Sequence, residues 1–258
     1  MKAFQWFTEK KVDVDTFYET NPADLVLNHH YISKAFSGLY MNLEGVSNDD
    51  LDSCLKRFSK DYEIILKMPS WVNVFDSKSD RYLDVIGYMK FLLSYAGTVK
   101  GVVLEIGTIY SEKKDVLYGL NDLFLKRVLT DFTRNGLEVY LSNGLVLDGH
   151  AGFSVPDMMY VKKGRPQVKL ALNLFNSTAS GGRIIPTFLK NFTLGGFGKN
   201  FDLVILSGID DSGKEVILGS EFDVYPLEVY KRFLKQFKKP LKVLRGDIFE
   251  VSELKKKL

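Results

Sequence analysis

Residues 100–136 constrain the fold of this chain more than any other segment does. An apolar run at 102–106, interrupted only by Glu105, is typical of a strand that is buried on both faces of a parallel sheet. Apolar residues then recur mostly four positions apart from 117 to 132, which predicts an amphipathic helix. Gly136 stands where a left-handed C-cap is expected, and another apolar run follows it. The segment therefore predicts a strand–helix–strand unit.

The rest of the chain reads as further copies of this unit. The predicted strands are 3–7, 24–31, 63–68, 102–106, 137–142, 168–174, 201–207 and 241–244. Helical segments are predicted at 14–19, 49–58, 80–96, 117–136, 156–163, 184–192 and 226–237, the fifth with a brief strand as its alternative. No linker rich in proline or serine interrupts the pattern. We therefore predict an α/β fold in which residues 1–258 form a single (β/α)8 TIM barrel domain, with a doubly wound open sheet as the alternative.

Composition limits the classes of partner and the cellular compartments that we expect. The chain has 35 lysines and arginines against 32 acidic residues, a net charge of +3 that does not favour a nucleic-acid partner. The basic run at 255–257 is expected to be a frayed, solvated terminus. A single cysteine, Cys54, excludes an internal disulfide and a cysteine-based zinc site. No segment approaches the roughly 20 apolar residues of a membrane span. We expect a soluble, cytoplasmic or otherwise intracellular protein.

In barrels of this kind, functional residues lie where strands end and loops begin. Glu105 shares a strand face with Val103, so it would lie in an apolar tube near the barrel mouth and could transfer protons. The alternative is that Glu105 simply pairs with Lys67 on the neighbouring strand. The catalytic candidates are Glu105, Lys67 and Asp247, and the ligand-binding candidates are Trp71, Asn143, Asn173 and Arg245.

Metal and cofactor chemistry has little support in the sequence. His29 and His30 would point to opposite faces of their predicted strand, and none of the usual metal-ligand spacings occurs. The loop at 176–183, which ends in Arg183, could bind an anion, but it matches neither a P-loop nor a dinucleotide motif. No metal and no cofactor is therefore predicted.

Several motifs occur in the order of a known family. They are EIILKMPSW at 63–71, GVVLEIG at 101–107, MMY at 158–160 and LKVLRGDIFE at 241–250. In order and spacing these segments resemble the strands of family 18 glycoside hydrolases, the chitinases and chitinase-like lectins. The resemblance implies a TIM barrel with a glycan or a protein as its possible partner.

The same alignment implies that hydrolysis is lost. If Gly101 is aligned with the glycine of the family's motif, Gly107 takes the place of the catalytic glutamate. If the alignment is shifted by two residues, Glu105 becomes the catalytic acid, but Val103 then stands where its partner aspartate belongs. Val161 and Leu244 replace the aspartate that holds the acetamido group and the tryptophan that stacks on the sugar. This resemblance therefore implies a pseudoenzyme that acts as a binding or assembly component.

A second resemblance is to the endonuclease IV and xylose isomerase-like barrels. It rests on LKMPS at 66–70, EIGT at 105–108, YLSNG at 140–144 and NLFN at 173–176, which are similar to strand ends of that group. Met68, Ile106, Leu141 and Ser207 would then stand near the positions of metal-binding His and Glu, which implies a degenerate metal site. A further alternative is a metal-independent enzyme that uses Glu105 and Lys67, with Asp247 or Arg245 contacting the substrate.

Overall fold

The computed structural model describes residues 15–72, 82–105, 129–144, 158–159, 162, 165–180, 183–184, 192 and 195–258. Eight parallel strands in these ranges close into a barrel, so the (β/α)8 prediction is confirmed. The strands are β1 (Thr16–Thr20), β2 (Gly38–Asn42), β3 (Glu63–Lys67), β4 (Gly101–Glu105), β5 (Glu138–Ser142), β6 (Lys169–Asn173), β7 (Leu203–Leu206) and β8 (Leu241–Leu244). Each strand pairs with its neighbours in chain order, and β8 closes the barrel against β1.

Helices alternate with the strands. They are α1 (Pro22–Ala35), α2 (Asn48–Phe58), α3 (Tyr82–Leu93), α4 (Leu174–Thr178), α5 (Leu227–Leu234) and α6 (Ile248–Lys257), and residues 129–134 are also helical. Two short antiparallel ribbons, Ala179–Ser180 with Arg183–Ile184 and Gly208–Ile209 with Glu215–Val216, follow β6 and β7. Gly136 has a φ of 80°, as the predicted left-handed C-cap requires. Within the described ranges, no helix combines the length and the apolar character needed to cross a bilayer.

The last six predicted strands are confirmed, and the first two need correction. The first, 3–7, lies outside the described residues, and the helical turn predicted at 14–19 is instead occupied by β1. The second, 24–31, is wrong because these residues belong to α1. The side chain of Asn21 caps that helix by accepting a hydrogen bond from the Asp24 amide at 2.9 Å, and Pro22 fits the first turn.

The apolar pattern of α1 explains the error. Leu25 and Ile32 are buried, but Leu27 and Tyr31 are exposed, so apolar residues lie almost all round the helix. Such a helix lacks the one-sided apolar stripe that a periodicity argument needs. The ring of His29 stacks on Phe58 of α2, with 4.8 Å between ring centroids, so the predicted strand position of this histidine is also wrong.

The C-terminal helix corrects another prediction. Instead of fraying, α6 continues to Lys257. The ammonium of Lys255 donates a hydrogen bond to the carbonyl of Ala35 at 2.7 Å and lies 4.7 Å from the centroid of the Phe36 ring. The first lysine of the basic run therefore attaches α6 to the end of α1.

Apolar side chains form two shells, one on each side of the barrel wall. The inner shell fills the barrel and consists of Phe17, Tyr40, Ile65, Val103, Tyr140, Ala171, Leu203, Ile205 and Val243. The outer shell packs the other face of each strand, such as Leu66 and Leu141, against the helices. Because successive side chains alternate between faces, the inner shell also shows which residues at the strand ends face the barrel interior.

Ion pairs close the N-terminal end of the barrel. Lys100 pairs closely with Glu63, and the ammonium of Lys169 lies 2.5 Å from a carboxylate oxygen of Glu138. The hydroxyl of Tyr140 also donates a hydrogen bond to Glu138. Burial, followed by this contact with a carboxylate, raises the pKa of Tyr140.

Candidate functional site

A ring of polar side chains lies at the C-terminal mouth of the barrel. Each strand contributes the residue two positions beyond an inner-shell residue, which by alternation also faces inward. We call this set the mouth ring; its members are Glu19, Asn42, Lys67, Glu105, Ser142, Asn173, Ser207 and Arg245. The inward face of every strand therefore changes from apolar to polar at the mouth.

A cavity of about 500 Å³ opens at one side of this ring. It is lined by Glu19, Asn42, Lys67, Glu215, Val216, Ile217, Arg245 and Gly246. Four of these residues are ring members, and the ribbon that follows β7 supplies one wall. The cavity lies within the size range of small-molecule sites, about 300–1,000 Å³.

Arg245 is the strongest electrostatic feature of the cavity. Its Nε forms a close ion pair with Glu19, and its Nη1 lies 2.7 Å from Oε1 of Glu215. Asn42 donates a further hydrogen bond to Glu19 at 3.3 Å. Burial disfavours the charged form of Arg245, but the carboxylates of Glu19 and Glu215 outweigh burial and raise its pKa. The guanidinium therefore remains charged and is shared between two carboxylates.

Lys67 and Glu105 form the pair that the sequence predicted as an alternative to catalysis. Their strands are neighbours, and the ammonium lies 3.4 Å from a carboxylate oxygen of Glu105. The side chains are only 14% and 23% exposed. A separation of 3.4 Å is longer than the roughly 2.7–2.9 Å of a charge-assisted hydrogen bond. The pair is therefore enclosed but loosely held.

Three buried hydroxyls of the barrel interior have no hydrogen-bond partner among the described residues. They belong to Tyr40, Ser142 and Ser207. The two serines are ring members, and burial raises the pKa of Tyr40, with the negative charge of Glu19 adding to the effect. Buried polar groups are normally paired, so these three hydroxyls keep hydrogen-bonding capacity that no described residue uses.

Asn143 and Asn173 lie together, but they contact each other rather than the cavity. The side-chain oxygen of Asn143 accepts a hydrogen bond from the Asn173 amide at 2.7 Å, and its Nδ2 donates to Ser177 at 2.8 Å. Asn176 in turn donates to the Asn143 carbonyl at 2.9 Å. These bonds tie the end of β5 to β6 and α4. A ligand-binding role for the two asparagines remains a prediction.

Trp71 and Asp247 lie apart from the cavity lining. Trp71 packs against Tyr88 at 5.2 Å between ring centroids and lines a separate surface recess of about 450 Å³. Asp247 caps α6 by accepting a hydrogen bond from the Phe249 amide at 2.9 Å. The structure therefore brings together Lys67, Glu105 and Arg245 of the predicted residues. Of the alternative anion loop at 176–183, residues 181–182 and the Arg183 side chain lie outside the described residues.

Three polar side chains of the cavity were not predicted from the sequence. Glu19 and Asn42 lie at the ends of two strands that were not predicted, and Glu215 comes from the ribbon that follows β7. The capping pattern at Asn21 and Asp24 could have located α1, and with it the strand that contains Glu19. No local signal marks Glu215, since its role depends on its distance from Arg245.

The mouth ring does not fit a divalent metal. The second resemblance placed four positions near the metal ligands. Of these, Ser207 is a member of the mouth ring, whereas Met68 and Leu141 belong instead to the shell that faces the helices. The ring members beside them are Lys67 and Ser142, while Ile106 lies outside the described residues. Each ring carboxylate already contacts a cationic side chain, and no cluster of three or more His, Cys, Asp or Glu residues occurs in the described ranges.

Comparisons with solved structures identify barrels of one kind. A xylose isomerase domain protein from Planctomyces limnophilus matches with a TM-score of 0.68 and 14% identity over 95% of this chain and 96% of that chain. A D-tagatose 3-epimerase-like protein gives 0.70 and 15% over 93% and 96%. An AP endonuclease of family 2 from Brucella melitensis gives 0.64 and 14% over 92% and 96%. No protein-family model matches the sequence, and no curated protein matches it.

These matches change the choice between the two resemblances. The likeness to family 18 glycoside hydrolases is not supported, and neither are the chitinase-like and pseudoenzyme interpretations drawn from it. That likeness rested on the order and spacing of strands and helices, which all TIM barrels share. The second resemblance, to the endonuclease IV and xylose isomerase-like barrels, agrees with the matches. At identities this low the likeness shows the fold alone: the chain has the (β/α)8 barrel fold that these xylose isomerase-like structures share.

Proposed function

We propose that the protein is a degenerate barrel of the xylose isomerase and endonuclease IV-like kind that binds a small polyhydroxylated molecule of the sugar class without a divalent metal. The observation that carries this proposal is that the buried hydroxyls of Tyr40, Ser142 and Ser207 have no partner among the described residues, in a barrel whose polar mouth opens into a cavity of about 500 Å³.

The chemistry of the mouth ring suits hydroxyl groups, which both donate and accept hydrogen bonds. Its carboxylates can accept, its cationic and amide side chains can donate, and its serines can do either. Two of the structural matches are named after sugar-converting enzymes, a xylose isomerase domain protein and a D-tagatose 3-epimerase-like protein, which favours the same ligand class. A glycan as the predicted partner is retained in this smaller form.

A second candidate is a metal-independent enzyme that uses Lys67 and Glu105. It is favoured by their separation of 3.4 Å and by the position of Lys67 on the cavity wall. Such a pair could move a proton on a bound ligand. Exchange of carbon-bound hydrogen in the presence of a ligand, measured by NMR in deuterated water and abolished by Glu105→Gln, would distinguish this activity from binding alone.

Calorimetric titration with a panel of aldoses and ketoses, in buffer containing EDTA, tests the proposed binding. We expect at least one sugar to bind and EDTA to leave its affinity unchanged. Ser142→Ala and Ser207→Ala should each weaken binding about 3–10-fold, the value of one hydrogen bond, without lowering the melting temperature. Ser94→Ala, on an exposed helix end, is the matched control and should have no effect.

Two results would contradict the proposal. Binding that appears only when a divalent metal is added would mean that the site depends on a metal. Undiminished affinity in both serine variants would place the ligand away from the mouth ring.

A further inference from the structure

Two carboxylates share Arg245, and they differ in their surroundings. Glu19 is a strand residue with a side chain 14% exposed, and it forms its ion pair at Nε. Glu215 comes from the ribbon that follows β7, is 35% exposed and contacts Nη1 at 2.7 Å. The hydrogen bonds of the guanidinium to described residues use only these two nitrogens. Glu19 is therefore the more enclosed partner of Arg245, and Glu215 is the more accessible one.

The backbone that carries Glu215 is held in place, so its side chain is the part that can move. The carboxylate of Asp223 accepts hydrogen bonds from the amides of Ile209 and Gly219, at 3.3 and 2.7 Å, and from the hydroxyl of Tyr230 at 2.9 Å. These bonds fix the ribbon beside the mouth. A rotation of the Glu215 side chain gives up one ion pair and leaves Arg245 paired with Glu19.

The charges at the mouth show what could take the place of Glu215. Among the described residues of the mouth, three carboxylates, on Glu19, Glu105 and Glu215, face two cations, on Lys67 and Arg245. Glu215 has the most accessible of these three carboxylates. An incoming anion that displaced Glu215 would restore the same contact at Arg245, and Glu215 would turn into solvent.

We propose that Glu215 occupies the place of an anionic group of the ligand, so that the site takes a sugar bearing a carboxylate or a phosphate, whose oxyanion displaces Glu215 from Arg245. This inference rests on the proposed function and specifies its ligand class. The planar guanidinium can bind such an oxyanion through two parallel hydrogen bonds. Lys67 lines the same cavity and offers a second cation.

Calorimetric titration of the Glu215→Gln variant with three ligands tests this inference. Glucuronate carries a carboxylate, glucose 6-phosphate carries a phosphate, and glucose is neutral. Removing the competing charge should tighten binding of at least one sugar acid about tenfold, while the affinity for glucose changes less than about twofold. Whichever acid gains more identifies the oxyanion. Glu221→Gln, an exposed carboxylate of the same segment, is the matched control and should change nothing.

The possible outcomes separate this inference from the proposed function. If Glu215→Gln raises the affinity for glucose and for the acids equally, or raises none of these affinities, Glu215 is not a substitute for a ligand anion. Binding of a neutral sugar in EDTA would then still support the proposed function. If no sugar or sugar acid binds to the natural protein or to the variant, the proposed function fails, and this inference fails with it.

Discussion

The two ends of the barrel are built from the same strands, but they treat polar groups differently. At the N-terminal end, Glu63 has Lys100 as its partner, and Glu138 has both Lys169 and the hydroxyl of Tyr140. At the mouth, the described carboxylates outnumber the described cations, and the buried hydroxyls of Tyr40, Ser142 and Ser207 have no partner among the described residues. This difference supports the proposal that the mouth binds a ligand and that the N-terminal end stabilises the fold.

Two tyrosines of the inner shell show this contrast within one layer. Tyr40 and Tyr140 are both fully buried. The pKa of each is raised first by burial; a carboxylate at the mouth, Glu19, adds to the shift of Tyr40, whereas Glu138 at the opposite end adds to that of Tyr140. The two hydroxyls therefore interact with carboxylates at opposite ends of the barrel. Only the hydroxyl of Tyr140 has a described hydrogen-bond partner.

The largest expected effect concerns the packing of the N-terminal end. A Cβ on Gly101 would lie 2.4 Å from the carbonyl oxygen of Glu138, a backbone atom that cannot easily move. Gly101→Ala should therefore lower the free energy of unfolding by about 3 kcal/mol, measured by urea denaturation. Gly87→Ala is the control, because its Cβ would meet open space within α3 and should stabilise the protein by about 0.5–1 kcal/mol. Equal stability of the two variants would mean that β4 and β5 are not so close.

The tyrosine pair gives the next largest effect. Tyr140→Phe removes a hydroxyl that donates to Glu138 and should destabilise the protein by about 1–2 kcal/mol. Tyr40→Phe removes a hydroxyl without a described partner and should be neutral or slightly stabilising. Thermal unfolding of both variants measures the difference. Equal losses of stability in the two variants would indicate that the hydroxyl of Tyr40 is hydrogen-bonded as fully as that of Tyr140.

The smallest expected quantity is the coupling free energy between Lys67 and Glu105. The enclosure of this pair predicts that Lys67→Met and Glu105→Gln each cost about 1–2 kcal/mol, because each leaves one charge uncompensated. The double variant should lose less than the sum, with a coupling of about 1 kcal/mol in a double-mutant cycle. Strictly additive losses would show that the two side chains do not interact.

Most of the barrel could be predicted from the sequence because its buried parallel strands are short apolar runs. Residues 102–106 illustrate this, and Gly136 marked the end of the helix that follows them. The first two strands failed for a local reason. The apolar residues of α1, which lie just before β2, were mistaken for a strand. β1 contains too many polar residues to be recognised as a buried strand.

The candidate site was less predictable because it depends on contacts between distant parts of the chain. Lys67, Glu105 and Arg245 could be found, since Lys67 and Glu105 end recognisable strands and Arg245 directly follows one. Glu215 could not be found, because only the folded ribbon brings it to Arg245. The ligand-binding role of Asn143 remains a prediction, and in the structure its side chain ties two strand ends together.

An NMR titration with a sugar acid in EDTA tests the central claim most directly, that the mouth binds a ligand without a metal while the opposite end only stabilises the fold. Amide signals of Asn42, Lys67 and Gly246 should shift in a saturable way, and those of Glu63 and Lys169 should not. Shifts confined to the N-terminal end, or absent until a divalent metal is added, would contradict this account.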